Sequence, residues 1–316
     1  MSKVAIVGAG SVGATLAYNL TIKGIVSELA LIDHNKEKAE AEALDIIQGM
    51  PLGQPVNVFA ADYAACTDAS VVIVTAGAKQ KPGETRIELL GRNAGMVKDI
   101  VHAIVASGFQ GTLLMVSNPV DVLTYVAYKT AADQGALPVS RVIGSGTVLD
   151  SARLREFLAR HCRISPMNIH GYVLGEHGDT SFPAWSLTTI GGVSFNDFCP
   201  VCENACGKDE LVQEAQEYVR AAAYKIIQAK GATFYAIGQA ASVIIQAILR
   251  NERRILPVST VRLGYRGIPR TAFSFPAIVG AGGAERVLDF PLSADDDQKL
   301  LASARFVASV IEESGL

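Results

Sequence analysis

The chain of 316 residues is long enough for two domains and for a core that needs neither disulfides nor metal staples. Lys plus Arg number 28 against 31 Asp plus Glu, a net charge of −3 with no stripe or tail of one sign, which argues against a nucleic-acid binder that works by neutralising phosphates. Hydrophobic residues make up 49% and charged residues only 19%, so long disorder is excluded and a large interior with buried subunit surface is expected. No window of about 18 apolar residues offers a membrane span. The first ten residues read as a strand running into glycines and not as a secretory signal. Five cysteines, an odd number, point to reduced thiols in a cytoplasmic setting.

Unbroken apolar runs at 4–7, 29–32, 71–74 and 113–116 predict strands buried on both faces of a parallel sheet. Between them the periodicity predicts crossover helices over 11–23, 36–48, 87–105 and 120–132, a βαβ series. Beyond about Gly144 the pattern changes. A helix is expected over 148–161, a strand around 169–174, and long helices over 209–229 and 234–249. Strand-like segments follow at 255–261, 273–279 and 287–290. A last helix over 294–313 would place Leu300, Ala304, Val307 and Ile311 on one face. No internal repeat is visible.

The first chemical signal is Gly8-Ala9-Gly10-Ser11-Val12-Gly13, between the first strand and the first helix. Gly8 allows the tight turn, Gly10 lets a pyrophosphate approach the backbone and Gly13 lets helix and strand pack closely. The phosphates then meet the free N–H groups of the helix start. Asp33, 20 residues after Gly13, can accept hydrogen bonds from an adenosine ribose and would repel a 2′-phosphate, so NAD is expected over NADP. The reading is an α/β fold: a Rossmann-type doubly wound parallel sheet binding NAD over 1–144, followed by an α+β substrate-binding domain over 145–316.

Four further stretches carry chemistry. Gly175-Glu176-His177-Gly178-Asp179 follows a strand and presents an imidazole between glycines. In the helix beginning near Val148, Asp150 and Arg153 are three apart and share a face. Residues 77–86, from Gly77 to Arg86, carry the glycines, proline and charges of a mobile loop. Ser117-Asn118-Pro119 sits at the carboxyl end of a buried strand, where open α/β sheets bind ligands.

In order and spacing these five stretches resemble the L-lactate dehydrogenases of the lactate/malate dehydrogenase family, over essentially the whole chain. The resemblance implies that His177 is the proton donor and acceptor, that Asp150 orients and stabilises its imidazolium, and that Arg153 clamps the substrate carboxylate. It implies that Arg86 polarises the carbonyl and that Asn118 and Thr233 touch the substrate. It also places Thr75, Ala76, Gly77, Val116, Asn118 and Ile237 along the dinucleotide. The chemistry agrees: reducing a 2-keto acid requires an acid near neutral pH and cationic stabilisation of a developing alkoxide. An arginine fork matches both carboxylate oxygens.

Gln80 matches the family's specificity position, where malate dehydrogenases carry an arginine for the second carboxylate. A second carboxylate facing an amide would lose hydration without a counter-ion, a cost of several kcal/mol that pyruvate avoids. The reading is pyruvate/lactate; malate or a branched 2-hydroxy acid is the alternative, and Lys79 and Lys81 are either solvated or within reach of a distal carboxylate. A non-catalytic NAD-sensing module is opposed by the intact set of His177, Asp150, Arg153 and Arg86. By the same resemblance Arg155 and His170 align with residues that bind fructose 1,6-bisphosphate between subunits of allosteric bacterial enzymes, which implies a homotetramer activated by that effector. Cys199, Cys202 and Cys206 form a C-x2-C-x3-C cluster without an adjacent fourth ligand, so free thiols are expected and no metal.

Overall fold

The structure is a computed structural model and describes residues 2–78, 83, 85–199, 202 and 208–316, with the side chains of Arg86 and Lys208 left out. Lys79, Gln80, Lys81, Cys206 and the Arg86 side chain therefore lie outside the described residues.

The first half alternates strand and helix. In chain order it comprises β1 (Lys3–Val7), α1 (Ser11–Ile22), β2 (Glu28–Ile32), α2 (Lys36–Gly49), β3 (Asn57–Ala60), β4 (Val71–Val74), α3 (Arg86–Ala106), β5 (Thr112–Met115), α4 (Val120–Ala132) and β6 (Val142–Gly144). The second half contributes α5 (Val148–Cys162), β7 (Ile169–His170), β8 (Val173–Leu174), β9 (Phe182–Pro183), β10 (Thr189–Ile190), β11 (Val193–Ser194), α6 (Phe195–Phe198), α7 (Lys208–Lys230) and α8 (Tyr235–Leu249). It ends with β12 (Arg254–Leu256), β13 (Ser259–Tyr265), β14 (Ile268–Ser274), β15 (Ala277–Gly280), β16 (Gly283–Val287) and α9 (Ala294–Glu313).

The main sheet runs β14-β13-β6-β5-β4-β1-β2-β3. From β3 to β6 every pairing is parallel, while β13 joins β6 and β14 joins β13 antiparallel. Strand order reverses between β1 and β4, the switch point at whose carboxyl ends a crevice opens. Alternate residues of each strand face opposite sides. Val4, Ile6, Leu29, Leu31, Val71 and Ile73 pack against α1, α2 and α8. Ala5, Val7, Ala30, Ile32, Val72 and Val74 pack against α3, α4 and α9. Both faces are covered, which is why these strands read as continuous apolar runs. Leu300, Ala304, Val307 and Ile311 of α9 are all buried, as the periodicity predicts.

The second half departs from the predicted strands at its breakers. The strand expected over 169–174 is split at Gly171 into β7, which pairs with β10, and β8, which pairs with β9. Pro257 divides the one expected over 255–261 into β12 and β13, and Pro276 divides the one over 273–279 into β14 and β15, in each case between two sheets. Proline has no N–H for a ladder, so the chain changes sheets there. The segment expected at 287–290 is the end of β16 followed by coil. Five strands go unread: β3 is an edge strand with one fully buried residue, β6 has only three residues, and β9, β10 and β11 have two each, too short for a periodicity to show.

Candidate functional site

The crevice at the switch point is built mainly of backbone. Gly8 has φ +110, and a Cβ there would lie 2.7 Å from the Ala76 nitrogen; at Gly13 it would lie 1.9 Å from the Gly8 oxygen, whereas at Gly10 it would meet nothing within 4 Å. Thus Gly8 and Gly13 permit close packing and the side-chain space at Gly10 is open. Helix α1 starts with no side-chain cap and no acid in its first turn, leaving its leading N–H groups for an anion. Thr75 Oγ1 donates to the Gly8 carbonyl at 2.8 Å and Ser117 Oγ to the Ala76 carbonyl at 2.5 Å, which joins the ends of β1, β4 and β5. Asp33 Oδ2 accepts from the Ala9 N–H at 2.7 Å, holding a carboxylate beside the turn. Val12 and Ile237 border the same core cluster. These residues fit a dinucleotide: an uncapped helix start, an open approach at Gly10 and an acidic side chain at the end of β2.

Beside this crevice lies a cleft of about 160 Å³ lined by Asn118, Asp150, Arg153, His177, Asp179 and Arg220 among others. That is roughly five water volumes, room for a small acid. Helix α5 aims Asp150 and Arg153 at the cleft from its first turns, and the loop after β8 brings in His177. His177 Nδ1 is 2.6 Å from Asp150 Oδ2, and Arg153 Nη1 donates to Asp150 Oδ1 at 2.8 Å. An ionised carboxylate only accepts, so Nδ1 carries the hydrogen and Nε2 is left for a ligand. The Asp150 and Arg153 side chains are 7% and 11% exposed, which makes this i,i+3 pair a buried one, while His177 is 26% exposed and reachable.

Burial opposes charge on both partners, and the pair overrides it. Desolvation by itself would depress the His177 imidazole, but the Asp150 carboxylate, with Asp121 added, holds it above its ordinary value against Arg153. Desolvation would raise Asp150, but the His177 and Arg153 charges and hydrogen bonds hold it below the usual carboxylate range. The pair therefore favours the imidazolium over the neutral ring and leaves Nε2 able to move a proton.

Several braces of this loop escaped the sequence reading. Gly175 has φ +89 and exchanges backbone hydrogen bonds with Ser274. The Glu176 N–H donates to Ser303 Oγ of α9 at 2.8 Å, and the His177 N–H to Asp121 Oδ2 of α4 at 2.7 Å. Asp121 and Ser303 are buried polar residues on helix faces that pack mainly against the apolar core. The lone acid in the first turn of α4, three residues after Asn118, was the available signal. Thr233 lies half-buried between α7 and α8, outside the cavity linings around His177 among the described residues.

Arg155 and His170 line a separate cavity of about 650 Å³ together with Tyr172 and Arg254. Arg155 Nε is buried without a hydrogen-bond partner there. Cys199 and Cys202 are free thiols, and no group of metal-ligating side chains occurs among the described residues. No helix among them is long and apolar enough to cross a membrane.

Residues 2–144 match the model of the lactate/malate dehydrogenase NAD binding domain, and residues 147–314 match that of the lactate/malate dehydrogenase alpha/beta C-terminal domain. The chain is 49% identical to the L-lactate dehydrogenase of Thermoanaerobacterium saccharolyticum over 313 residues, 99% of each chain. It is 44% identical to that of Acetivibrio thermocellus over 312 residues, covering 99% of this chain and 97% of the relative. Among solved structures, a lactate dehydrogenase from a Medee basin deep-sea metagenome library superposes with a TM-score of 0.95 at 41% identity, covering 100% and 99% of the two chains. The minor L-lactate dehydrogenase of Enterococcus mundtii, in its ligands-bound form, superposes with a TM-score of 0.93 at 40% identity, covering 99% and 98%.

Proposed function

Because the chain belongs to the lactate/malate dehydrogenase family, with NAD as its cofactor, we propose that it is an L-lactate dehydrogenase interconverting pyruvate and (S)-lactate. The observation that carries the reading is the buried His177–Asp150–Arg153 chain at the mouth of a small cleft shared with Asn118.

Gly8, Gly10, Ser11, Val12 and Gly13 hold the pyrophosphate on the start of α1, and Asp33 accepts from the ribose. Thr75, Ala76, Gly77, Val116, Asn118 and Ile237 line the rest of the dinucleotide. The bound nicotinamide supplies the hydride. His177 Nε2–H protonates the carbonyl oxygen in reduction and takes the proton back in oxidation, while Asp150 keeps the ring oriented and offsets its charge. Arg153 keeps N–H groups beyond the one given to Asp150 and grips the substrate carboxylate with them. Arg86 polarises the carbonyl, Asn118 and Thr233 contact the substrate, and the neutral Gln80 disfavours a second carboxylate. The division near Gly144 puts the cofactor mostly before it and acid–base chemistry after it.

NADH oxidation with pyruvate, oxaloacetate and 2-ketoisocaproate in parallel tests the assignment. The highest kcat/KM is expected for pyruvate, and Gln80→Arg should move preference toward oxaloacetate. A higher kcat/KM for oxaloacetate in the unmodified enzyme would overturn it. The regulatory part of the proposal is a cytoplasmic homotetramer of fermentative glycolysis in which Arg155 and His170 bind fructose 1,6-bisphosphate. Its support is a cavity with an unpartnered Arg155 Nε, where burial and then Arg254 lower the guanidinium's affinity for its proton. Pyruvate saturation should sharpen with the bisphosphate and lose that response in Arg155→Ala; identical curves with and without effector would refute it.

A further inference from the structure

Asp121 carries more than the packing of α4 requires. It is 2% exposed, in a helix whose neighbouring residues Val120, Val122, Leu123, Val126 and Ala127 are apolar and buried. Its Oδ2 accepts from the His177 N–H at 2.7 Å and its Oδ1 from Ser259 Oγ of β13 at 2.5 Å. Both partners are neutral donors, and among the described residues no Lys, Arg or His side chain forms an ion pair with Asp121. An asparagine could accept the same backbone bond and share a proton with the serine without the cost of burying a charge. What the carboxylate adds beyond an amide is its charge, and the titratable cation that lines the same cavity is the imidazole of His177, whose backbone it already holds.

We infer that Asp121 is a positioning residue that pins the His177 peptide to α4 and, as a second buried carboxylate beside Asp150, sustains the protonated imidazole. The inference rests on His177 being the proton donor of the proposed reaction. Burial pushes the Asp121 carboxyl up to about 6, while its hydrogen bonds from Ser259 and the His177 N–H and the His177 charge favour its ionised form. Its influence on the imidazole is upward, in the same sense as that of Asp150.

The other charges around the pair are Asp150 and Arg153 of α5, and Glu176 and Asp179 of the catalytic loop. Arg220 of α7 and Glu313 of α9 stand at the borders of the two cavities that share His177, with the phenol of Tyr224 between them. Arg153 pairs with Asp150, and Glu176 is committed to Thr180 through its Oε2 at 2.6 Å from Thr180 Oγ1. Asp121 is thus the one acid besides Asp150 that both bonds to His177 and lies buried, among the described residues.

Selective ¹³C labelling of the five histidines lets the His177 imidazole be titrated by NMR in the full-length apoenzyme, with His177→Gln identifying its signal. Asp121→Asn keeps both hydrogen bonds and removes the charge. It should lower the His177 midpoint by roughly half a pH unit or more and move the basic limb of pyruvate reduction in the same direction. Asp121→Ala removes the pin as well and should lose about 10²-fold in kcat at every pH while NADH binding persists. Ser259→Ala leaves the backbone bond, makes Asp121 harder to ionise and should shift the midpoint in the same direction by less. An unchanged NMR midpoint in Asp121→Asn overturns the inference. Failure of pyruvate as a substrate would instead sink the proposed reaction, and the NMR titration would still decide the role of Asp121.

Discussion

The crevice at the start of α1 and the cleft around His177 are built by opposite means. The crevice is assembled from backbone within short stretches of chain: a glycine turn at 8–13, an acid at 33 and loop ends at 75–77. The cleft is assembled from side chains on α5, α7 and one loop, the loop braced in turn by α4, β13 and α9, and these meet only when the whole chain has folded. The difference teaches where each is vulnerable. A crevice of close backbone approaches fails sterically when a methyl group is added, whereas a cleft of coupled charges fails electrostatically when one atom is exchanged.

The sharpest separation of the two is His177→Gln. Without an acid at Nε2, kcat for pyruvate reduction should fall by about 10²- to 10⁴-fold while NADH binding, followed by fluorescence titration, stays within twofold. A matching loss of NADH affinity would mean that the two regions are not independent.

Asp150→Asn should come next, with kcat down by about 10²-fold. Asp150 is the main group raising His177, so the basic limb of the pH profile should move to lower pH by about one unit or more. Stability offers a second readout. The raised His177 contributes stability that is complete below its unfolded value of about 6.5 and is lost as pH rises through its higher folded value. The depressed Asp150 contributes stability present above about 3.9 and lost as pH falls through its lower folded value. The drop in Tm of Asp150→Asn should therefore be greatest between about pH 4 and 6.5 and shrink on either side; a pH-independent drop would show that packing, not the ion pair, was lost.

Gly13→Ala attacks the other region. Its methyl group would sit 1.9 Å from the Gly8 oxygen, so the turn must open. NADH should bind about tenfold more weakly or worse, while the His177–Asp150 titration stays as it was. The smallest effect is expected far from both. Ser293→Ala removes the oxygen that accepts from the Asp296 N–H at the start of α9 and should cost about 1 kcal/mol, a fall in Tm of a few degrees, with steady-state constants unchanged. Altered kinetics there would mean that α9 transmits strain to the catalytic loop through Ser303.

Legibility in the sequence followed the same division. Glycine spacing and apolar runs are local, so the turn at 8–13, the first-half helices and the last helix were read to within a residue or two. His177, Asp150, Arg153 and Asn118 stood out as residue types in motifs, and the fold brings all four to one cleft. Asp121 offers one local signal, a lone acid in the first turn of α4, which by itself reads equally as a favourable charge at a helix start, and nothing in the segment around Ser303 distinguishes a buried brace from a surface position. Thr233 was named by resemblance, and the cavity linings do not include it.

By itself the sequence determined the alternation of strand and helix, the anion-ready start of α1 and the motifs that carry His177, Asp150 and Arg153, because each depends on neighbours within a few residues. Only the tertiary structure decided that β13 and β14 extend the first-half sheet, that prolines 257 and 276 hand the chain from one sheet to another, and that His177 lies between two buried carboxylates. Those outcomes depend on desolvation and on contacts between residues as far as 138 positions apart, as between Ser259 and Asp121. Electrostatics of that kind acts through space and through the removal of water, and neither is written along the chain.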